Sequence, residues 1–82
     1  MTDEEAIDLL EKQIAALVAA GVDMRMDEKF FRVGEYDLAL EGVYVAHKKY
    51  PGLLNAEEVR ALVEDFCIDT AEFDARDYTN AQ

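Results

Sequence analysis

The chain has 82 residues, with nineteen acidic side chains against eight basic ones, a formal charge of −11. That length gives one domain whose core is a single modest cluster, without room for a buried cofactor beside a separate catalytic cleft. So negative a chain is repelled by nucleic acid and by anionic membranes and is drawn to basic protein surfaces.

Hydrophobic residues make up 51% of the chain, which excludes a disordered polyanion, and they recur at regular spacing. The single cysteine, Cys67, excludes an internal disulfide framework. The opening MTDEEAIDLL has no basic stretch ahead of its apolar residues, so no secretory leader is expected. No apolar run reaches the ~18 residues of a membrane span, and a cytoplasmic location is expected. The chain contains no serine. This excludes serine-nucleophile catalysis and the serine-anchored prosthetic arm of small acidic carrier proteins.

The first helix is expected from Asp3 to Ala20. Thr2 and Glu5 form a capping-box pair, and Asp3, Glu4, Glu5 and Asp8 place negative charge where the helix dipole favours it. Ile7, Leu10, Ile14 and Leu17 give one apolar stripe, and Gly21 is placed to stop the helix. After a connection over Val22–Met26, Asp27 is read as the cap of a brief helix over Glu28–Val33, stopped by Gly34. Its adjacent Phe30 and Phe31 cannot share a face, so one is expected in the core and the other over a helix junction.

The third helix is expected over Glu35–Lys49, with Tyr36, Leu40, Val43, His47 and Tyr50 in one stripe and Ala39 and Ala46 beside it. Pro51 and Gly52 stop it. The fourth starts after Asn55, paired with Glu58 as a second capping box, and is expected to run to about Asp69 with Val59, Leu62, Val63 and Phe66 inward. Thr70 to Gln82 is expected to add a turn or two around Phe73 and Tyr78, with a fraying end, so that about residues 70–82 form a partly ordered tail. The whole reads as an all-α chain, a single helical domain over residues 1–82: a small antiparallel bundle of three long helices plus one short one.

Charge divides unevenly along it. Residues 1–28 and residues 55–82 each hold eight acids and two bases, whereas residues 29–54 hold three acids and four bases. On the fourth helix, Glu58, Asp65, Asp69 and Glu72 fall at steps of seven, four and three and make one acidic stripe if the helix persists. It is either a solvated face or a surface for a basic partner. The outward face of the third helix reads Asp37, Glu41, Tyr44 and Lys48. Tyr44 is read in two ways: as an exposed aromatic suited to an arginine-rich partner, or as a side chain packed under the tail against Phe73 or Tyr78. The candidate partner-binding residues are therefore Asp37, Glu41 and Tyr44 with Glu58, Asp65 and Asp69.

Catalytic and metal chemistry find no constellation. His47, the single histidine, lies on the inward stripe and reads as a satisfied structural residue. Cys67 beside Phe66 reads as a small core residue. One Cys and one His do not complete a zinc site, and Asp69–Asp77 lacks the pattern of a calcium loop. No catalytic residue, cofactor or metal is expected, and the chain is not read as an enzyme.

The run Gly34-Glu35-Tyr36-Asp37-Leu38-Ala39-Leu40-Glu41 resembles the signature of the Maf-type immunity proteins, small acidic bacterial proteins related to those of contact-dependent inhibition. That family shows an aromatic-bearing helix, then Gly-Glu-Tyr or Gly-Glu-Trp, an Ala-Leu-Glu segment and a second amphipathic helix. The resemblance covers roughly Ile7 to Asp69. It implies a non-enzymatic inhibitor that binds one cognate basic toxin domain, typically a nuclease, with no nucleic acid or membrane as partner. Within the motif, Gly34, Ala39 and Leu40 read as structural, and the outward residues carry specificity. Two other readings stand beside it: a nucleic-acid mimic or adaptor that blocks a DNA-binding regulator, which rests on the same acidic stripes, and a helical dimerisation module, which rests on apolar faces wider than one chain can cover. The oligomeric state is left open by the sequence.

Overall fold

Five helices are present in the computed structural model, which describes residues 1–78: α1 over Asp3–Ala19, α2 over Arg25–Arg32, α3 over Tyr36–Lys49, α4 over Ala56–Asp65 and α5 over Ala71–Asp74. No strand occurs among the described residues. The all-α expectation is met, with lengths of 17, 8, 14, 10 and 4 residues. The fraying expected at residues 79–82 lies outside the described residues. The radius of gyration is 11.8 Å, against about 11.7 Å expected of a compact chain of this length.

Local chemistry accounts for most boundaries. Thr2 Oγ1 accepts from the Glu5 N–H at 3.1 Å and Glu5 Oε1 accepts from the Thr2 N–H at 2.8 Å, so the first capping box is complete. Asn55 Oδ1 accepts from the N–H groups of Glu57 and Glu58 and starts α4. Only half of the second box forms, because the Glu58 carboxylate turns toward α1 instead of back to the cap.

Three helices end in the same lock, which satisfies two orphan carbonyls with two backbone bonds and places one residue in the left-handed region. At α1, Gly21 N–H reaches the Val18 carbonyl and Val22 N–H the Leu17 carbonyl. At α2, Gly34 N–H reaches Phe31 and Glu35 N–H reaches Phe30. At α4, Cys67 N–H reaches Glu64 and Ile68 N–H reaches Val63. The left-handed residue is glycine in the first two, at φ 89° and 81°, but it is Cys67 in the third, at φ 55°. This lock ends α4 at Asp65, short of the expected Asp69. It also leaves Cys67 exposed, which corrects its reading as a core residue.

The core is built from Ala6, Leu10, Ile14 and Leu17 of α1, Met24, then Ala39, Leu40, Val43 and Ala46 of α3, and Val59 and Leu62 of α4. Ile7 is half-buried and Ala6 takes its place. Gln13, 2% exposed, is buried on the same stripe and faces Glu58 of α4. Its Nε2 donates to Glu58 Oε1 at 2.8 Å, while its Oε1 is buried without a partner among the described residues.

α2 starts earlier than expected, behind Met24, whose side chain is buried and offers no cap. Asp27 is therefore inside the helix rather than at its start. It tucks against Gly42 of α3. A Cβ added at Gly42 would stand 1.6 Å from Asp27 Oδ1 and 2.4 Å from its Cγ. Gly42 is thus a contact glycine, selected by closeness of approach between α2 and α3. Phe30 and Phe31 are both half-buried at the edge of the core, and Phe31 meets the Tyr36 ring edge-on at 5.3 Å.

Candidate protein-binding surfaces

The six residues picked out in the sequence do not form one site. Asp37 and Glu41 lie one turn apart on α3, and Asp65 is the last residue of α4. None of these three has a hydrogen-bond or ion-pair partner among the described residues. Their charge is free to act outward. Glu58, Tyr44 and Asp69 are engaged within the chain.

Glu58 joins α4 to α1. Besides accepting from Gln13, it meets Lys12 Nζ at 3.7 Å. This carboxylate satisfies the nitrogen of the buried Gln13 amide, so it is a structural acid first. Asp69 lies past the end of α4, where its Oδ1 accepts from the Ala71 N–H at 3.0 Å and helps start α5. The continuous acidic stripe from Glu58 to Glu72 is therefore broken at Cys67, because the lock there redirects the chain.

Tyr44 follows the second of its two readings. Its ring is half-buried and meets Phe73 of α5 edge-on at 6.2 Å, and its hydroxyl donates to Asp74. Asp74 also accepts from Thr70 Oγ1 at 3.0 Å and pairs with Lys48 at 3.3 Å. Lys48 lies 5.9 Å from the Tyr44 ring centre as well. Arg76 lies 5.0 Å over Phe73, and Tyr78 closes the turn by donating to the Phe73 carbonyl at 3.0 Å. Together these contacts dock α5 onto α3. The hydrogen bond from Tyr44, then those from Thr70 and Lys48, hold the Asp74 carboxyl below its ordinary value. Burial and the bond to Asp74 push the Tyr44 phenol up.

His47 sits beside this cluster, its ring 6.4 Å from that of Tyr44. It is half-buried as expected, but it is not satisfied: Nδ1 has no partner among the described residues. Burial, and then the neighbouring Lys48 charge, hold its imidazole below the ordinary value. The Asp27 carboxyl is shifted the other way. Burial raises it above its ordinary value, and Asp23 adds to this. Asp23 is itself held at about 2 by its pairing with Arg25.

No group of three or more His, Cys, Asp or Glu side chains among the described residues could hold a metal ion. No helix there is long and apolar enough to cross a membrane.

What the sequence reading missed is an apolar groove of about 480 Å³ between α1 and α2. Ile14, Ala15, Val18, Ala19 and Phe31 form its floor and walls. The available signal was the run Ala15-Ala16-Leu17-Val18-Ala19-Ala20, which is apolar all round and too wide for one buried stripe. Comparison of the chain with protein-family models, curated proteins and solved structures gives no match.

Proposed function

We propose that the chain is an immunity-type protein, a binder and not an enzyme. It would neutralise a cognate basic toxin domain, a nuclease in the first instance, in the cytoplasm of the producing cell. The observation that carries this reading is the placement of charge. Nineteen acids are divided so that both ends of the sequence are strongly negative, and Asp37, Glu41 and Asp65 have no partner among the described residues. Uncompensated outward carboxylates steer encounter with a basic surface, and nucleases carry such surfaces because they must hold phosphates. The motif from Gly34 to Glu41 adds the family resemblance.

The test is co-purification with a basic toxin domain encoded beside the chain, followed by toxin activity with and without it. Asp37→Asn, Glu41→Gln and Asp65→Asn combined should slow association and flatten its salt dependence. A neighbouring toxin that is neither bound nor inhibited sinks the reading. Capture of a DNA-binding regulator in competition with DNA would replace it with the nucleic-acid-mimic reading.

A further inference from the structure

The acids just named are suited to steering, yet they offer no apolar anchor, and affinity usually comes from buried apolar contacts at the centre of an interface. The groove between α1 and α2 supplies one. Val18 is 44% exposed on its floor, and Ala15 and Ala19 are exposed beside it. Small side chains allow another helix to approach closely. From Glu11 to Ala19 the floor follows α1 for about 12 Å. Apolar anchors at i, i+4 and i+7 of a docked helix span about 10 Å.

Charge complementarity selects the occupant. Toward the N-terminus the same face of α1 continues as Glu11, Asp8 and Glu4, at steps of three and four, all exposed and without partners among the described residues. Lys12, one turn on from Asp8 at the edge of this face, pairs with Glu58 of α4 at 3.7 Å. The face therefore changes from apolar to acidic along its length. Glu28 and Arg32 of α2 edge the groove.

Resting on the reading of a basic partner, we infer that this groove docks an amphipathic helix of that partner, one whose apolar anchors are followed on the same face by two or three lysines or arginines. Apolar side chains fill the space over Ala15, Val18 and Ala19. The cations lie along Glu11, Asp8 and Glu4. A second copy of this chain is a poor occupant, because each copy carries −11 and its α1 has no free base to set against those three acids.

The probe is a fluorescein-labelled 18-residue peptide with leucines at i, i+4 and i+7 and three lysines continuing that face, compared with a scrambled peptide of the same composition. Anisotropy with the full chain should show tighter binding of the patterned peptide. Val18→Gln and Ala15→Gln, both at exposed positions, should weaken it about tenfold. Amide shifts on binding should centre on Ala15, Val18, Ala19 and Phe31. Equal affinity for the scrambled peptide, shifts centred elsewhere, or a stable dimer in sedimentation that closes the groove each overturns the proposal.

The toxin domain separates the two readings. A toxin that binds the parent chain and Val18→Gln equally well overturns the groove and leaves the immunity reading standing. A toxin that ignores the parent chain, while the patterned peptide still maps to α1 and α2, removes the immunity reading and supports the groove.

Discussion

Gly42 and Asp27 should behave as one unit. An alanine Cβ at position 42 would lie 1.6 Å from Asp27 Oδ1, 2.4 Å from Cγ and 3.1 Å from Oδ2. The overlap includes Cγ, so a small twist of the carboxylate does not relieve it. Asp27 must leave its position or α2 must move off α3. Overpacking of this kind costs about 1–3 kcal/mol, against about 1 kcal/mol gained by replacing glycine with alanine inside a helix. Gly42→Ala should therefore destabilise the protein by about 1 kcal/mol when Asp27 is present. With Asp27→Ala in place the clash is gone, and the same change should stabilise by about 1 kcal/mol. Urea unfolding of the four proteins gives the coupling directly, expected near 2 kcal/mol. Coupling below about 0.5 kcal/mol would refute the argument that Asp27 dictates glycine at position 42.

Cys67→Gly should stabilise the fold by about 0.5–1 kcal/mol, because relief of the left-handed backbone exceeds the extra entropy of an unfolded glycine. Cys67→Ala should bring no gain, and thermal melts compare the two. Tyr44→Phe keeps the ring on Phe73 and removes the bond to Asp74. Hydrogen exchange should quicken at the Asp74 and Ala75 amides while the global urea midpoint stays in place. For His47 the folded value lies below that of the unfolded chain. The stability of its neutral form is fully present above about pH 6.5 and is lost as pH falls through the depressed folded value. The urea midpoint of the parent chain should thus fall more than that of His47→Gln between about pH 7.5 and pH 5, and parallel curves would show that His47 is not the group responsible.

Where a boundary is written in side-chain chemistry, it was legible. Thr2 with Glu5, Asn55, Gly21 and Gly34 announce their caps and stops, and the core faces of α3 and α4 follow from spacing. The misreadings have a common cause: a residue took a role its type seldom fills. Asp27 looks like a helix cap, but it is spent on packing against Gly42, and Met24 begins α2 without one. Cys67 does the work of a glycine, so the sequence gives no hint that α4 ends there or that the acidic stripe breaks. Gln13 is polar yet buried on the stripe of α1, and Ala6 rather than Ile7 completes that stripe. At the surface, the free acids Asp37, Glu41 and Asp65 were visible as charge. Spacing alone cannot tell that Glu58 is committed to Gln13, or which of its two roles Tyr44 takes.

The contact of α1 with α4 through Gln13, Lys12 and Glu58 brings the two most acidic parts of the chain side by side. One lysine cannot balance the field there, so folding gathers negative charge that the extended chain keeps apart. Added salt screens this repulsion within a Debye length of about 8–10 Å and should firm the free protein. The same salt weakens its attraction to a basic partner. Fold and complex thus respond to ionic strength in opposite directions, and a cationic partner acts on the bundle as a macromolecular counterion, stabilising it by the very charge that it comes to cover.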